Sequence, residues 1–234
     1  MKLIIIPTLN EKKNIKKLFF QIKKLKINTD ILFIDDNSID GTRNDIINFS
    51  KKYKNVKFIF RPKKLGIGSA HKVGLIYGYK NRYKKILTMD ADGTHDPKYI
   101  KKMFKESNNF HLVITNRFIR SNSLYDWPLF RKILTTIRFY LINILLNFNY
   151  DSSGAYRCYN VKKIKINDIL LAKDLSYSFF WESIYHLHKK KYLIKQIAVN
   201  LPFRKTGSSK MKLKDIIYSL FYLFFYFIKN ILSN

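Results

Sequence analysis

Cysteine is nearly absent from this chain of 234 residues. Its single Cys158 excludes an internal disulfide and argues against a cysteine-based zinc site. A buried structural thiol is the expected role. Acid is scarce as well: 16 Asp and Glu face 45 Lys and Arg, for a formal net charge of +29. That excess would suit a nucleic-acid partner, because Lys and Arg neutralise phosphates. The lysines, however, are scattered in short runs along the whole chain. The joint abundance of Lys, Ile, Asn, Phe and Tyr is what an A/T-biased genome produces, so no nucleic acid is expected. A basic surface would equally favour an anionic membrane. No long apolar run opens the chain. Leu3 to Ile6 is too short for a secretory signal, and the protein is expected on the cytoplasmic face of a membrane. Gly66-x-Gly68 is not completed to G-x-G-x-x-G and the P-loop pattern is missing, which argues against a classical dinucleotide fold.

What is present is an alternation. Apolar runs at Leu3–Ile6, Asp30–Ile34, Val56–Phe60, Lys85–Met89 and Leu112–Thr115 read as buried strands, with helical periodicity between them. Such βαβ units build a parallel sheet, and right-handed crossovers bring the strand ends to one edge. Ligands of open α/β sheets bind beyond those carboxyl ends. The loops there carry Glu11, Asp35, Asp36, Gly66, Gly68, Asp90, Asp92 and Arg117. Asn10 is placed to cap the helix that follows it. Asp90 and Asp92 flank one residue, and in strand geometry both would point to the same side. Two hard oxygen ligands beside a glycine turn suit Mg²⁺ or Mn²⁺. An acidic surface turn or a helix cap is the plainer alternative. For Gly66 and Gly68 it is that they only turn the chain.

After Arg117 the alternation stops. A helix is expected from Leu129 to about Phe148, with an apolar stripe of the kind that usually packs in a core. Asp151 to Arg157 is a polar turn entering a short strand. A further helix begins near Ser178 and holds Glu182, His186 and His188; the two histidines fall on different faces and read as surface or structural. A strand over Lys191–Asn200 leads to a basic loop, Pro202 to Lys210, suited either to phosphate oxygens or to plain solvation. Ile216 to Ile228 is apolar and aromatic between Lys214 and Lys229. It is shorter than the ~20 residues a span needs, so an interfacial or re-entrant helix is expected. A tilted span through Leu232 and a core helix are the alternatives. The expected division is a domain over 1–210 and a membrane-associated tail over 211–234.

Ile5-Ile6-Pro7-Thr8-Leu9-Asn10-Glu11, Ile34-Asp35-Asp36-Asn37-Ser38-Ile39-Asp40-Gly41-Thr42 and Met89-Asp90-Ala91-Asp92 resemble the successive signatures of inverting family 2 glycosyltransferases. Gly66 to Ala70, Thr115 to Phe118, Trp127 with Arg131, Asp151 to Arg157 and Arg204 through Lys210 are similar to segments of dolichol-phosphate mannosyltransferases and bacterial polyprenyl-phosphate relatives. The resemblance runs in consistent order over residues 3–210. It implies a GT-A fold: a Rossmann-like α/β domain with a mostly parallel sheet flanked by helices. It implies transfer of a hexose, mannose first, from a nucleotide-sugar donor such as GDP-mannose to a polyprenyl or dolichyl phosphate acceptor.

Under that resemblance, Pro7, Leu9, Glu11, Ile34, Asp36 and Ala91 would shape the donor pocket. Asp90 and Asp92, with Thr94, would hold Mg²⁺ or Mn²⁺ on the diphosphate. Arg117, Arg131, Arg204 and Lys210 would contact phosphates, and Asp92, Arg117 and Arg131 would be catalytic. Leu9 stands where an aromatic is usual and Thr94 where Gln is frequent, with His95 as a substitute ligand. The reaction implied is one in-line displacement at the anomeric carbon. A phosphate acceptor is already an oxyanion and needs no strong base; a hydroxyl acceptor would, and Glu182 is the candidate by position. The competing readings are a family 2 transferase extending a surface polysaccharide on a hydroxyl acceptor, a non-catalytic membrane- or partner-binding relative, and a basic nucleic-acid binder. The last leaves the acidic loops unexplained.

Overall fold

The computed structural model describes residues 1–204, 206, 207, 210 and 213–232. Seven strands form one sheet: β1 (Lys2–Thr8), β2 (Asp30–Asp35), β3 (Val56–Phe60), β4 (Lys85–Thr88), β5 (Leu112–Asn116), β6 (Arg157–Asn160) and β7 (Ile194–Ala198). Their order is β3-β2-β1-β4-β6-β5-β7. β6 runs antiparallel between β4 and β5, and the other pairings are parallel. β1 extends further than its apolar run suggests, through Pro7 and Thr8. Proline has no N–H to donate, and β1 tolerates it because pairing with β4 has already ended at Ile5↔Thr88.

The apolar run of β1 is buried on both faces, as a parallel strand requires. Leu3 and Ile5 pack on one side with α3 (Ile67–Lys80), α5 (Leu129–Leu146), α6 (Ile166–Leu170), α7 (Ser178–Lys189) and α8 (Leu213–Leu232). Ile4 and Ile6 pack on the other with α1 (Lys12–Lys24), α2 (Thr42–Lys52) and α4 (Ile100–Glu106). Cys158 is buried in that second layer, a structural thiol as expected. Helix α3 lies close against the sheet. A Cβ on Gly74 would sit 2.6 Å from Ile5 Cγ2, and one on Gly78 would sit 2.4 Å from Ile86 Cδ1.

Two expectations change here, and the alternatives for the last helix narrow. Asn10 does not cap α1: it adopts φ +53°, and its side-chain oxygen accepts from the Ile39 N–H at 2.9 Å. It ties the β1 loop to the β2 loop instead. The apolar stripe of α5 is not core. Ile142 and Leu146 are buried, whereas Leu129, Phe130, Ile133, Ile137, Tyr140 and Ile144 are exposed. A helix packed by one narrow edge leaves the rest of its apolar circumference outward, and periodicity alone cannot say what covers it. Finally, α8 takes the shape of neither a span nor an ordinary core helix. Among the described residues no helix is long and apolar enough to cross a membrane. Ser219 and Leu223 are buried, while Ile217, Tyr218, Phe221, Phe225 and Ile228 are exposed.

α8 is held to α7 by polar contacts between aromatic rings. Ser178 Oγ donates to Ser219 Oγ at 3.0 Å, and Tyr226 hydroxyl lies 3.0 Å from His186 Nε2. Trp181 packs against Tyr222 and Tyr226 at ring separations of 5.7 and 5.4 Å. His188 lies 3.5 Å from the Tyr150 hydroxyl, so both histidines of α7 are structural.

Two histidines of this layer are held neutral. His71 on α3 is buried against Phe179 and Phe180, and burial pushes its pKa down to about 3. His186 is pushed down to about 4, first by burial and then by Lys190 and Lys173. Both folded values lie below the ordinary ~6.5 of an unfolded histidine. Their contribution to stability is therefore complete above pH ~6.5 and is lost as pH falls through the folded values, because the unfolded chain binds the protons first. Unfolding free energies from urea titrations should fall below pH ~6.5, by at most about 1.4 kcal/mol per pH unit per histidine, and the midpoints with them. His186→Gln should flatten the fall. A midpoint unchanged down to pH ~5 would contradict this assignment.

Candidate active site

The carboxyl ends of β1, β2, β4 and β5 open on a cavity of about 600 Å³. Pro7, Leu9, Glu11, Asp36, Asp90, Ala91, Asp92, Thr94, Arg117, Arg131, Arg204 and Lys210 all line it. Ile34 does not. Its side chain is fully buried in the layer under α3, one residue short of the strand end. Of the basic loop, Lys205, Ser208 and Ser209 lie outside the described residues.

Asp90 and Asp92 are brought together by a turn, and strand alternation plays no part. β4 stops at Thr88, and Gly93 takes φ +82° to reverse the chain. The Thr94 N–H and hydroxyl both donate to Asp92 Oδ1, at 3.0 and 2.7 Å. Thr94 thus orients a carboxylate through its own hydroxyl proton. The Asp90 N–H donates to His95 Nδ1 at 2.9 Å, and the ring stacks on Tyr156. His95 braces the turn through Nδ1, while burial holds the ring neutral, its pKa pushed down to about 4. Burial, Asp92 and Glu11 together hold the Asp90 carboxyl above the usual range.

Glu11 reaches the same point from the start of α1. It accepts from Asn14 Nδ2 at 2.8 Å and from Arg204 Nη2 at 2.9 Å. Arg204 Nη1 lies 3.5 Å from Asp92 Oδ2. One guanidinium therefore contacts two carboxylates and its charge also bears on Asp90, a cation-deficient cluster. Asp90 and Asp92 are the donors that could hold a hard divalent cation. No third His, Cys, Asp or Glu completes a ligand group with them among the described residues. Diphosphate oxygens and water would fill the remaining positions, as is usual for Mg²⁺.

The other acids at the mouth are engaged. Asp35 is buried and accepts from Thr8 Oγ1 at 2.9 Å and Arg43 Nε at 2.7 Å. Asp36 pairs with buried Arg61 and accepts from the Leu65 N–H at 3.2 Å. This fixes the β3–α3 loop. Gly66 sits there at φ +96°, where a Cβ would lie 2.2 Å from the Leu175 carbonyl oxygen. That glycine permits close backbone contact with the α6–α7 loop, and the Ser69 N–H donates to the same oxygen.

The far wall is zipped from two loops. Trp127 Nε1 donates to the Leu201 carbonyl at 2.9 Å, and Asp126 accepts from the Phe203 N–H at 2.8 Å. Arg131 lies over the Phe203 ring at 5.3 Å. Arg117 is anchored by Asp151, 2.7 Å from its Nε. Several lining residues went unrecognised in the sequence, among them Lys64, Thr135, Arg138, Tyr177 and Asp215. Thr135 and Arg138 lie 4 and 7 positions after Arg131 on α5, so helical spacing from Arg131 was the available signal.

Glu182 is not at the site. It is buried on α7, its two oxygens accepting from the backbone N–H groups of Lys173 and Asp174 at 2.8 and 2.9 Å. Tyr222 donates to it from α8 at 3.2 Å. It organises a loop and serves no reacting group. Glu182→Ala should cost about 2–4 kcal/mol of unfolding free energy, since two buried N–H groups lose their acceptor. Turnover per folded molecule should stay unchanged. A fall in kcat at full folding would return Glu182 to the list of candidate bases.

Residues 3–165 match the family described as Glycosyl transferase family 2. The chain is 26% identical over 210 residues to an undecaprenyl-phosphate mannosyltransferase of Micrococcus luteus, covering 89% of this chain and 86% of that protein. It is 25% identical over 223 residues to a polyprenol monophosphomannose synthase of Mycolicibacterium smegmatis, covering 94% and 84%. The fold is similar to the crystal structure of a mycobacterial protein, with TM-score 0.61, 15% identity and coverage of 95% and 74%. It is also similar to Staphylococcus aureus TarS residues 1–349 in complex with UDP-GlcNAc, with TM-score 0.57, 16% identity and coverage of 95% and 65%. With an α/β GT-A-like sheet and a cavity at its strand ends, the chain belongs to glycosyl transferase family 2, the nucleotide-sugar glycosyltransferases.

Proposed function

We propose that this protein transfers a hexose, mannose first, from a nucleotide sugar such as GDP-mannose to a polyprenyl or dolichyl phosphate at the cytoplasmic face of a membrane. The observation that carries this reading is the adjacency of two unlike surfaces. The acidic turn Asp90–Asp92 opens into a cavity whose far wall continues onto the exposed apolar faces of α5 and α8. Phe130, Leu134 and Ile216 line the cavity and stand at the edge of that apolar surface. Such a face, in a chain of net charge +29, suits an anionic lipid surface. The two mannosyltransferase relatives support the acceptor and sugar classes.

Asp90 and Asp92 would hold Mg²⁺ or Mn²⁺, which when bound offsets the charge of the departing nucleoside diphosphate. Glu11 and Asp92 hold Arg204 beside the same position, where its guanidinium can share that charge. The attacking group is a phosphate oxyanion, so the lipid supplies its own nucleophile. One displacement inverts the anomeric configuration. Leu9 and Asp36 line the nucleotide end, where an aliphatic side chain replaces a stacking ring.

Membranes containing the protein should be offered labelled GDP-mannose, UDP-glucose or UDP-GlcNAc with polyprenyl phosphate and Mg²⁺ or Mn²⁺. Label should partition into organic solvent, and Asp92→Ala should reduce its transfer by about 10²-fold or more, the scale of removing one preorganised charge-stabilising group. Label found only in water-soluble glycan would favour a hydroxyl acceptor instead. Absence of transfer from every donor would favour a non-catalytic binder.

A further inference from the structure

Four arginines line the cavity: Arg117, Arg131, Arg138 and Arg204. Two of them are committed to carboxylates, Arg117 to Asp151 and Arg204 to Glu11 and Asp92. Arg131 is exposed and stacked on Phe203. Arg138 differs from all three. It is partly buried on α5, and among the described residues its Nη2 makes one long contact, to Ser219 Oγ at 3.5 Å. Burial first and then the charge of Arg117 push its pKa down to about 10, so it remains a cation at neutral pH.

A cation drawn out of solvent without an anion is costly, and such a group is retained where an anion comes to it. The surroundings define which one. Arg138 shares the cavity lining with polar Ser153 and Tyr177 and with apolar Leu134 and Ile216; Leu134 stands one turn before it on α5, and Ser219 beside it is on α8, three residues after Ile216. The charged groups that bear on it are Arg117 and Asp151, and Asp215 also lines the cavity. Arg204 and the acidic turn serve the donor end. We propose that Arg138, together with Arg117, binds the phosphoryl group of the acceptor and places it at the boundary between the polar cavity and the apolar face. This rests on the lipid-phosphate reading given above and adds a residue to it. Guanidinium groups suit phosphate because their N–H fork pairs with two oxygens.

The test measures binding to the full-length protein in detergent micelles, by intrinsic tryptophan fluorescence. The probes are citronellyl phosphate, its alcohol citronellol, and GDP or UDP with Mn²⁺. Wild type should bind citronellyl phosphate at least tenfold tighter than citronellol. Arg138→Gln should lose affinity for the phosphate by about 10- to 100-fold, the range for one lost hydrogen bond to a charged group. Arg138→Lys should recover part of it. Binding of citronellol and of the nucleoside diphosphates should stay within about twofold of wild type. Ser219→Ala separates recognition from helix packing: it removes the α8 contact and should leave phosphate affinity intact. The assignment is overturned if Arg138→Gln binds citronellyl phosphate as wild type does, if the loss falls on the nucleoside diphosphate, or if Ser219→Ala reproduces it. No preference of the wild type for citronellyl phosphate over citronellol would sink the lipid-phosphate reading itself, and the role of Arg138 with it.

Discussion

Crowding of carboxylates at one edge of a parallel sheet is the constraint on which the rest of this molecule turns. The topology brings Glu11, Asp35, Asp36, Asp90 and Asp92 to the ends of β1, β2 and β4. Like charges at such distances repel strongly in a partly dry cavity. Arginines offset them pair by pair: Arg43 on Asp35, Arg61 on Asp36, Arg204 on Glu11. The same device holds Arg117 to Asp151 across the cavity. Each pair also fixes a loop, so charge balance and loop geometry are one arrangement. Removing one member of such a buried pair typically costs ~3–5 kcal/mol, because the other is left uncompensated.

The balance is incomplete at one place, and that place defines the chemistry. Asp92 and Glu11 share Arg204, and Asp90 beside them is braced by the neutral His95. The deficit of positive charge suits a divalent cation with a diphosphate. The same cavity is lined by Arg117, Arg131, Arg138 and Lys210. A lining of both signs has groups for a cation and for anions. It comes from loops and a helix that are far apart in the chain.

The second organising feature is the incomplete burial of α5 and α8. Each presents a narrow inner edge, Ile142 and Leu146 on α5 and Ser219 and Leu223 on α8. α8 gains its hold through Tyr222 and Tyr226, whose rings pack on Trp181 while their hydroxyls reach Glu182 and His186. Glu182 thereby links the α6–α7 loop to the last helix. The outward apolar residues of the two helices include Leu129, Phe130, Ile133, Ile137 and Ile144 on α5 and Ile217, Phe221, Phe225 and Ile228 on α8.

The amino-acid sequence by itself determined the alternating elements, because burial of a parallel strand on both faces demands an uninterrupted apolar run. It determined as well that the acids stand at strand ends, so twelve of the thirteen residues proposed for substrate or metal line one cavity, Thr94 among them. Ile34 is the exception, since a strand's last core residue and its first loop residue look alike in a linear pattern. Only the tertiary structure decided what each polar side chain faces. Glu182 is an acid among aromatics in either view, yet three hydrogen bonds turn it to a loop and to α8. Arg138 is one basic residue among 45, and the packing of α5 beside α8, where its Nη2 faces Ser219, places it at the cavity. The stripe of α5 has the periodicity of a core helix, and which part of a stripe meets solvent depends on how much surface its neighbours have left to cover. Periodicity is a property of neighbours in the chain, whereas partnership of a charge or a face is a property of neighbours in space.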